Sequence, residues 1–354
     1  MTMEKAIVLC EEGFGRSVGK TANGLVRLSR KYSILGVIDS SCAGQDAGAV
    51  LEGKPKGIQI YSSIEEALRL GEKPDWLVIG VATIGGFLPD ELRPAIRHGL
   101  KSGIGVISGL HERLALDSEF SDIAREKEVE IRDIRKQPPF GELHHFADLA
   151  GDMDALRIPI LGMDGSIGKR TTGWILTEAL EQAGVKSVFV VTGQTGLLQG
   201  AEYGLPLDAI GGDFMVGELE HQIVLAYEER KPQVILIEGQ GSISHPAYVC
   251  GTRAIITASS PSGIVLQCAP GREYRSYHRE ELHIPMPTVE EEILLLESFS
   301  KSEVIALAVN MEGLTEEELS QVIDEYQSRF HIPTCGPLTQ GCEGIVDRIQ
   351  EMLR

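Results

Sequence analysis

The chain has 354 residues, enough for two α/β domains of ordinary size. Its 33 Lys plus Arg against 52 Asp plus Glu leave a formal charge of −19, which argues against nucleic acid or an anionic membrane surface as partner, because phosphate contacts supply most of such binding. The six cysteines lack CxxC spacing and so suggest neither a zinc knuckle nor a redox pair, and no apolar run reaches the ~18 residues of a membrane span or resembles a leader, so a cytoplasmic protein is expected.

In the first half, short runs of Val, Ile and Leu at 5–10, 32–39, 75–82 and 103–108 predict buried parallel strands. Between them, 19–30, 63–70, 89–100 and 117–127 predict helices; "SSIEEALRLG" carries a serine cap, an acidic first turn and a terminal glycine. This alternation implies a Rossmann-like, doubly wound sheet. The segment 134–157 breaks it with Pro138 and Pro139, which continue neither a helix nor a central strand. The boundary is placed there, giving a Rossmann-like domain over 1–140 and a P-loop NTPase-like parallel-sheet domain over 141–354. Cys10 and Cys268, closing apolar runs, are expected to be buried thiols.

The second half predicts strands at 157–163, 187–192, 233–239, 263–268 and 303–310, with helices at 171–183, 213–229, 288–299, 315–328 and 344–353. Strand, glycine loop, helix and further parallel strands is the order of a P-loop nucleotide-binding fold. The loop itself is "GMDGSIGKRTT". Gly162, Gly165 and Gly168 are expected to take left-handed backbone and let it approach a ligand. Amides at the helix start would face an anion, Lys169 would reach phosphates and Arg170 would add a forked cation. A standard P-loop has a metal-binding hydroxyl directly after its lysine. Here Arg170 holds that place, so Thr171 or Thr172 would cap the helix or, with a one-residue shift, hold a metal. An echo, "GFGRSVGKT" at 13–21, either touches an anion or is a tight strand-to-helix turn.

Several polar residues fall at predicted strand ends, where α/β sheets bind ligands. Glu238 in "IEGQGS" would serve as a metal or water ligand or as a base. Gln194, in the loop after the second strand, would line the same crevice, together with Gln240 and Ser242, as substrate contacts. Asp213 in "GGDFM" would cap a helix or reach the site. His245 in "SHPAY" is a candidate for proton transfer or substrate contact. Arg272 would bind a substrate carboxylate bidentately. Asn310, ending the last long strand, would read an adenine edge.

The glycine loop, with Asp164 ahead of Lys169, resembles dethiobiotin synthetase, a P-loop enzyme that uses ATP and magnesium. A more specific resemblance runs through "RKQPP", "LHHFADLA", "LGMDGSIGKRTTGWIL", "VVTGQTGLLQGAEYGLPLDAIGGDFMVGELE" and "VILIEGQGSISHPAY". Together these are similar to an uncharacterised-domain P-loop family that includes D-glutamate N-acetyltransferase. Lys-Arg-Thr-Thr is that family's own pattern, whereas Met163 and Gly165 replace its threonine and cysteine, and Thr257–Ala258 stands where it carries His-Gly. The resemblance implies acetyl transfer from acetyl-CoA to an acidic amino acid, with CoA phosphates on the loop. Such transfer needs a base, for which His245, Glu238 and Asp213 are candidates, and oxyanion donors, which amides of "GQGS" could provide. The competing readings are an ATP/Mg-dependent ligase or kinase, in which Glu238 and Thr171 would hold the metal, and a non-catalytic nucleotide sensor. A small-molecule amino-acid substrate is the expected partner; the sequence leaves open whether the chain forms a homo-oligomer.

Overall fold

The computed structural model describes residues 3–354. It divides into two compact units: one runs to Pro138 and takes in Gln194–Ala201, and the other comprises Pro139–Gly193 and Glu202–Arg354.

The first unit is built on six parallel strands: β1 (Glu4–Leu9), β2 (Tyr32–Ile38), β3 (Gln59–Tyr61), β4 (Trp76–Ile79), β5 (Gly105–Ser108) and β6 (Ile131–Asp133). Their order β3-β2-β1-β4-β5-β6 is that of a doubly wound Rossmann sheet. The central strands are continuous apolar runs because helices cover both faces. β3 and β6, three residues each and only partly buried, were too short for a sequence pattern to mark.

The turn at 13–21 is closed on itself. Asp39, fully buried at the end of β2, accepts the amides of Glu12, Phe14 and Ser41, and Asn23 accepts the amide of Gly15. A side chain on Gly19 would come within 2.2 Å of the Gly13 carbonyl, so close packing explains that glycine. Of the two expectations for this loop, the geometry is that of a tight turn. The helix Gln194–Gln199 belongs to this unit: Thr195 shares a hydroxyl contact with Thr21 at 3.0 Å, and Gln199 donates to the carbonyls of Gly24 and Leu28.

The second unit carries seven parallel strands: β7 (Leu156–Gly162), β8 (Ser187–Val191), β9 (Tyr203–Gly204), β10 (Val234–Glu238), β11 (Ile264–Cys268), β12 (Val304–Val309) and β13 (Thr334–Cys335). They stand in the order β13-β12-β11-β7-β10-β8-β9. From β7 the chain crosses to β8 and β9, returns to set β10 between β7 and β8, then lays β11, β12 and β13 on the other side of β7. The topological switch therefore lies at β7, and the carboxyl ends of its neighbours open around the loop that follows it. The helix Lys169–Gln182 is pressed against β8, with Trp174 edge-on to Phe189 at 5.3 Å. Gly173 permits this, since a side chain there would strike the Phe189 ring. Cys10 and Cys268 are buried, and burial pushes both thiols far up. Among the described residues, no helix is long and apolar enough to cross a membrane.

Candidate functional site

The loop between β7 and its helix differs from the sequence expectation in how it turns. Only Gly168, the N-cap at φ 105°, is left-handed among its three glycines, while Ser166 takes φ 56°. Gly162 serves close approach instead: a side chain would meet Ile167 at 2.8 Å and Lys169 at 3.1 Å. Gly165 faces open space, with nothing within 4 Å of an added carbon. Among the described residues, the amides of Gly165, Ser166, Ile167, Gly168 and Lys169 have no protein acceptor. Five undirected donors at a helix start, reinforced by its dipole, make a concavity for an anion.

The helix begins at Lys169, not Thr171, and neither threonine caps it. Thr172 is buried and donates to Gln267 on β11 at 2.6 Å; Thr171 is half-buried in the first turn. Lys169 is buried, and its ammonium donates to the carbonyls of Asp164 and Gly241. Burial holds it down to about 8, against the upward pull of Asp164, Glu238 and Glu292.

Glu238 ends β10 and is buried. It accepts the Thr192 amide at 3.0 Å. Burial raises its carboxyl, opposed by the nearby charge of Arg170 and by the amides of Thr192 and Gly193. Gln240 donates to the Thr192 carbonyl, so it braces the β8 and β10 ends to each other.

His245 and Asp164 are also deeply buried here. The imidazole Nδ1 accepts the amides of Ala247 and Tyr248, both at 2.9 Å. A ring nitrogen that accepts two amides carries no hydrogen, so the neutral ring has its proton on Nε2. Burial and the Arg275 charge lower its proton affinity, which keeps it neutral. His245 is thus arranged to donate from Nε2, which suits a substrate contact and, of its expected roles, does not suit that of base. Asp164 Oδ2 accepts from Arg272 at 2.8 Å and from the Ser276 amide at 2.7 Å.

Four further expectations change. Arg272 does not present a free fork to a substrate: it is held by Asp164, the Gly165 carbonyl and Glu312. Asn310 is engaged with the Ile167 carbonyl and the Glu312 amide, and so supports the loop where an adenine contact was expected. Gln194 lies in the first unit, where it accepts from Arg135, and not in the second unit to which the sequence assigned it. Asp213 is exposed, and the helix Met215–Arg230 begins without a side-chain cap, so it neither caps nor joins the buried cluster. Thr257 is likewise exposed, with its hydroxyl turned back to the Arg253 carbonyl.

Sequence reasoning missed the network that fixes these loops. Arg275, buried, donates to the Met163 carbonyl, to Ser242 at 2.6 Å and to Ser244 at 2.7 Å. Glu292, fully buried, accepts the Ile243 amide and the Ser244 hydroxyl. Ser242 is therefore a structural partner of Arg275. In "PTVEEE" Glu292 was indistinguishable from two neighbours that decorate a helix start. Similarly, Glu218 and Glu220 of "GELE" point inward and accept the amides of His144, Ala147 and Leu149, pinning the "LHHFADLA" segment. Among the described residues, no group of three or more His, Cys, Asp and Glu is assembled to hold a metal ion.

Residues 144–346 match a family model described as a domain of unknown function (DUF1611_C), P-loop domain, and 40–137 match the corresponding DUF1611_N Rossmann-like domain. A D-glutamate N-acetyltransferase of Pseudoalteromonas sp is 29% identical over 290 residues, covering 80% of this chain and 83% of that protein. Another of the same name, from Tritonibacter scottomollicae, is 30% identical over 292 residues, 81% and 84% of the two chains. The crystal structure of a DUF1611 family protein from Anabaena variabilis shares 30% identity over 98% of this chain and 99% of that one, with a TM-score of 0.89. With the P-loop half and the Rossmann-like half each matched in order, this chain belongs to the DUF1611 family.

Proposed function

We propose that the chain is an N-acetyltransferase that moves the acetyl group of acetyl-CoA onto the amino group of an acidic amino acid of the D-glutamate kind. The P-loop would hold the CoA diphosphate. The observation that carries this is the run of five amides without acceptors at the start of the Lys169 helix, in a chain aligned across four-fifths of two proteins named for that activity. An anchored diphosphate needs donors and positive charge, and no bond to phosphorus has to break. Arg170 stands directly after Lys169, where a P-loop elsewhere carries its metal-binding hydroxyl.

The second reading is an ATP/Mg-dependent ligase or kinase. It is favoured by Glu238, a buried carboxylate at the β10 terminus close to the charge of Arg170. The assay offers acetyl-CoA, or ATP with magnesium, to a panel of D- and L-amino acids, acidic ones first. Release of CoA in step with an N-acetylated product, persisting in EDTA, is the expected outcome. Acceptor-dependent ADP or phosphate release, with no CoA freed from acetyl-CoA, would sink the acetyltransferase reading.

A further inference from the structure

Asp164 Oδ1 and His245 Nε2 are buried side-chain atoms without a hydrogen-bond partner, and they lie 3.9 Å apart. Both residues are at most 1% exposed. Each is fixed by its other polar atom: Asp164 through the Ser276 amide and Arg272, His245 through the Ala247 and Tyr248 amides. The pair is complementary, one acceptor and one N–H donor, yet too far apart to bond to each other. Leaving both unpaired is costly in a buried site, so a third group is expected to satisfy them. Two contacts of about 2.8 Å to one shared atom would meet at about 90° across this gap, and two adjacent ligand atoms also fit. Lys169, Arg272 and Arg275 surround the pair, and the rings of Tyr248 and Tyr277 flank His245 at 4.8 and 6.1 Å. Tyr248, whose ring stacks on His245, is 46% exposed and so borders both the pair and solvent.

Resting on the acetyltransferase reading, we infer that Asp164 and His245 form the acceptor end of the site. Asp164 Oδ1 receives the acceptor's ammonium and takes one proton from it. The freed nitrogen lone pair attacks the thioester carbonyl carbon, and the C=O π electrons move onto oxygen, where His245 Nε2–H steadies the developing charge. Collapse breaks the C–S bond; the thiolate leaves with that electron pair and takes the second proton lost by nitrogen. Asp164 then returns its proton to solvent. The products are the N-acetyl amino acid, CoA thiol and one released proton. The unpartnered Asp164 Oδ1 is an acceptor that calls for an N–H donor, which makes this an amine seat distinct from the phosphate-facing amides.

The experiment uses the full chain with acetyl-CoA and the best acceptor from the amino-acid panel. D164N is expected to lower kcat at pH 7 by about 100-fold or more, the scale of a lost general base. That deficit should narrow at least tenfold by pH 10, where the amine supplies its own neutral form. H245Q, which keeps a donor near the Nε2 position, should stay within tenfold of wild type, while H245F should lose about 100-fold, as for a lost oxyanion donor. Acetyl-CoA affinity by calorimetry should be within threefold throughout, which also reports that the variants are folded. A D164N deficit unchanged between pH 7 and 10, or kcat within threefold of wild type, overturns the inference; so does H245F matching H245Q. Should D164N fail to bind acetyl-CoA, the two His245 variants decide. A wild-type chain that releases no CoA with any amine overturns the acetyltransferase reading, and this inference with it; an active wild type with indifferent variants overturns the inference alone.

Discussion

Replacing Lys169 by methionine should change the stability of the ligand-free second unit in opposite directions at neutral and high pH. Its ammonium is held at about 8 by burial, from an ordinary 10.5, which corresponds to about 3 kcal/mol. Because the folded value lies below the unfolded one, the unfolded chain binds the extra proton between pH 8 and 10.5. Wild-type stability therefore rises with pH through that window, and the charge works against the fold below it. K169M removes this opposition but strips a donor from the Asp164 and Gly241 carbonyls, at about 1 kcal/mol each. At pH 7 the variant should be more stable by about 1 kcal/mol; above pH 10.5 it should be less stable by about 2 kcal/mol. Urea unfolding in a Trp76→Phe background, with buried Trp174 as reporter, measures the difference. The same variant should bind CoA or ADP about 10- to 100-fold more weakly at pH 7, through loss of a charge-assisted contact. A wild-type-minus-variant difference that does not move between pH 7 and pH 10.5 would refute the reasoning.

Two glycines of the loop should separate folding from binding. G162A forces a carbon to within 2.8 Å of Ile167 and should destabilise by about 1–3 kcal/mol, read from its melting curve. G165A meets nothing within 4 Å, so it should melt like wild type yet weaken CoA binding by crowding the open space before the loop; unaltered affinity would place the ligand elsewhere. In the first unit, D39A removes the acceptor for the Glu12, Phe14 and Ser41 amides and should cost about 3 kcal/mol by Trp76 fluorescence in urea, with CoA affinity unchanged. Retained stability in D39A would mean that these amides find other acceptors.

The central strands of both sheets were legible because a parallel strand covered on both faces must be apolar along its whole length. That pattern marks β1, β2, β4, β5, β7, β8, β10, β11 and β12 in the sequence without help. The remaining strands, β3, β6, β9 and β13, are two or three residues at sheet edges, where the backbone ladder of a neighbour and not side-chain pattern defines the strand. The anion-facing loop was legible too, since glycine spacing, Lys169 and flanking apolar runs are local. Its glycine roles were not: left-handed backbone at Gly168 and tight packing at Gly162 look identical in a sequence.

What the sequence by itself determined is therefore the two parallel-sheet domains and the place of the phosphate-type loop, all consequences of local pattern. Only the tertiary structure decided which polar residues act together. Arg275 and Glu292 lie far from the loop along the chain, and it is strand order, with β11 set beside β7, that brings their segments to it. The helix Gln194–Gln199 joined the first unit for the same kind of reason, because its buried threonine and glutamine find partners there. His245 illustrates the difference most sharply. A histidine before a proline is uncommitted in the sequence; two backbone amides on Nδ1 make it a donor at Nε2, facing the one carboxylate oxygen of Asp164 that nothing else satisfies.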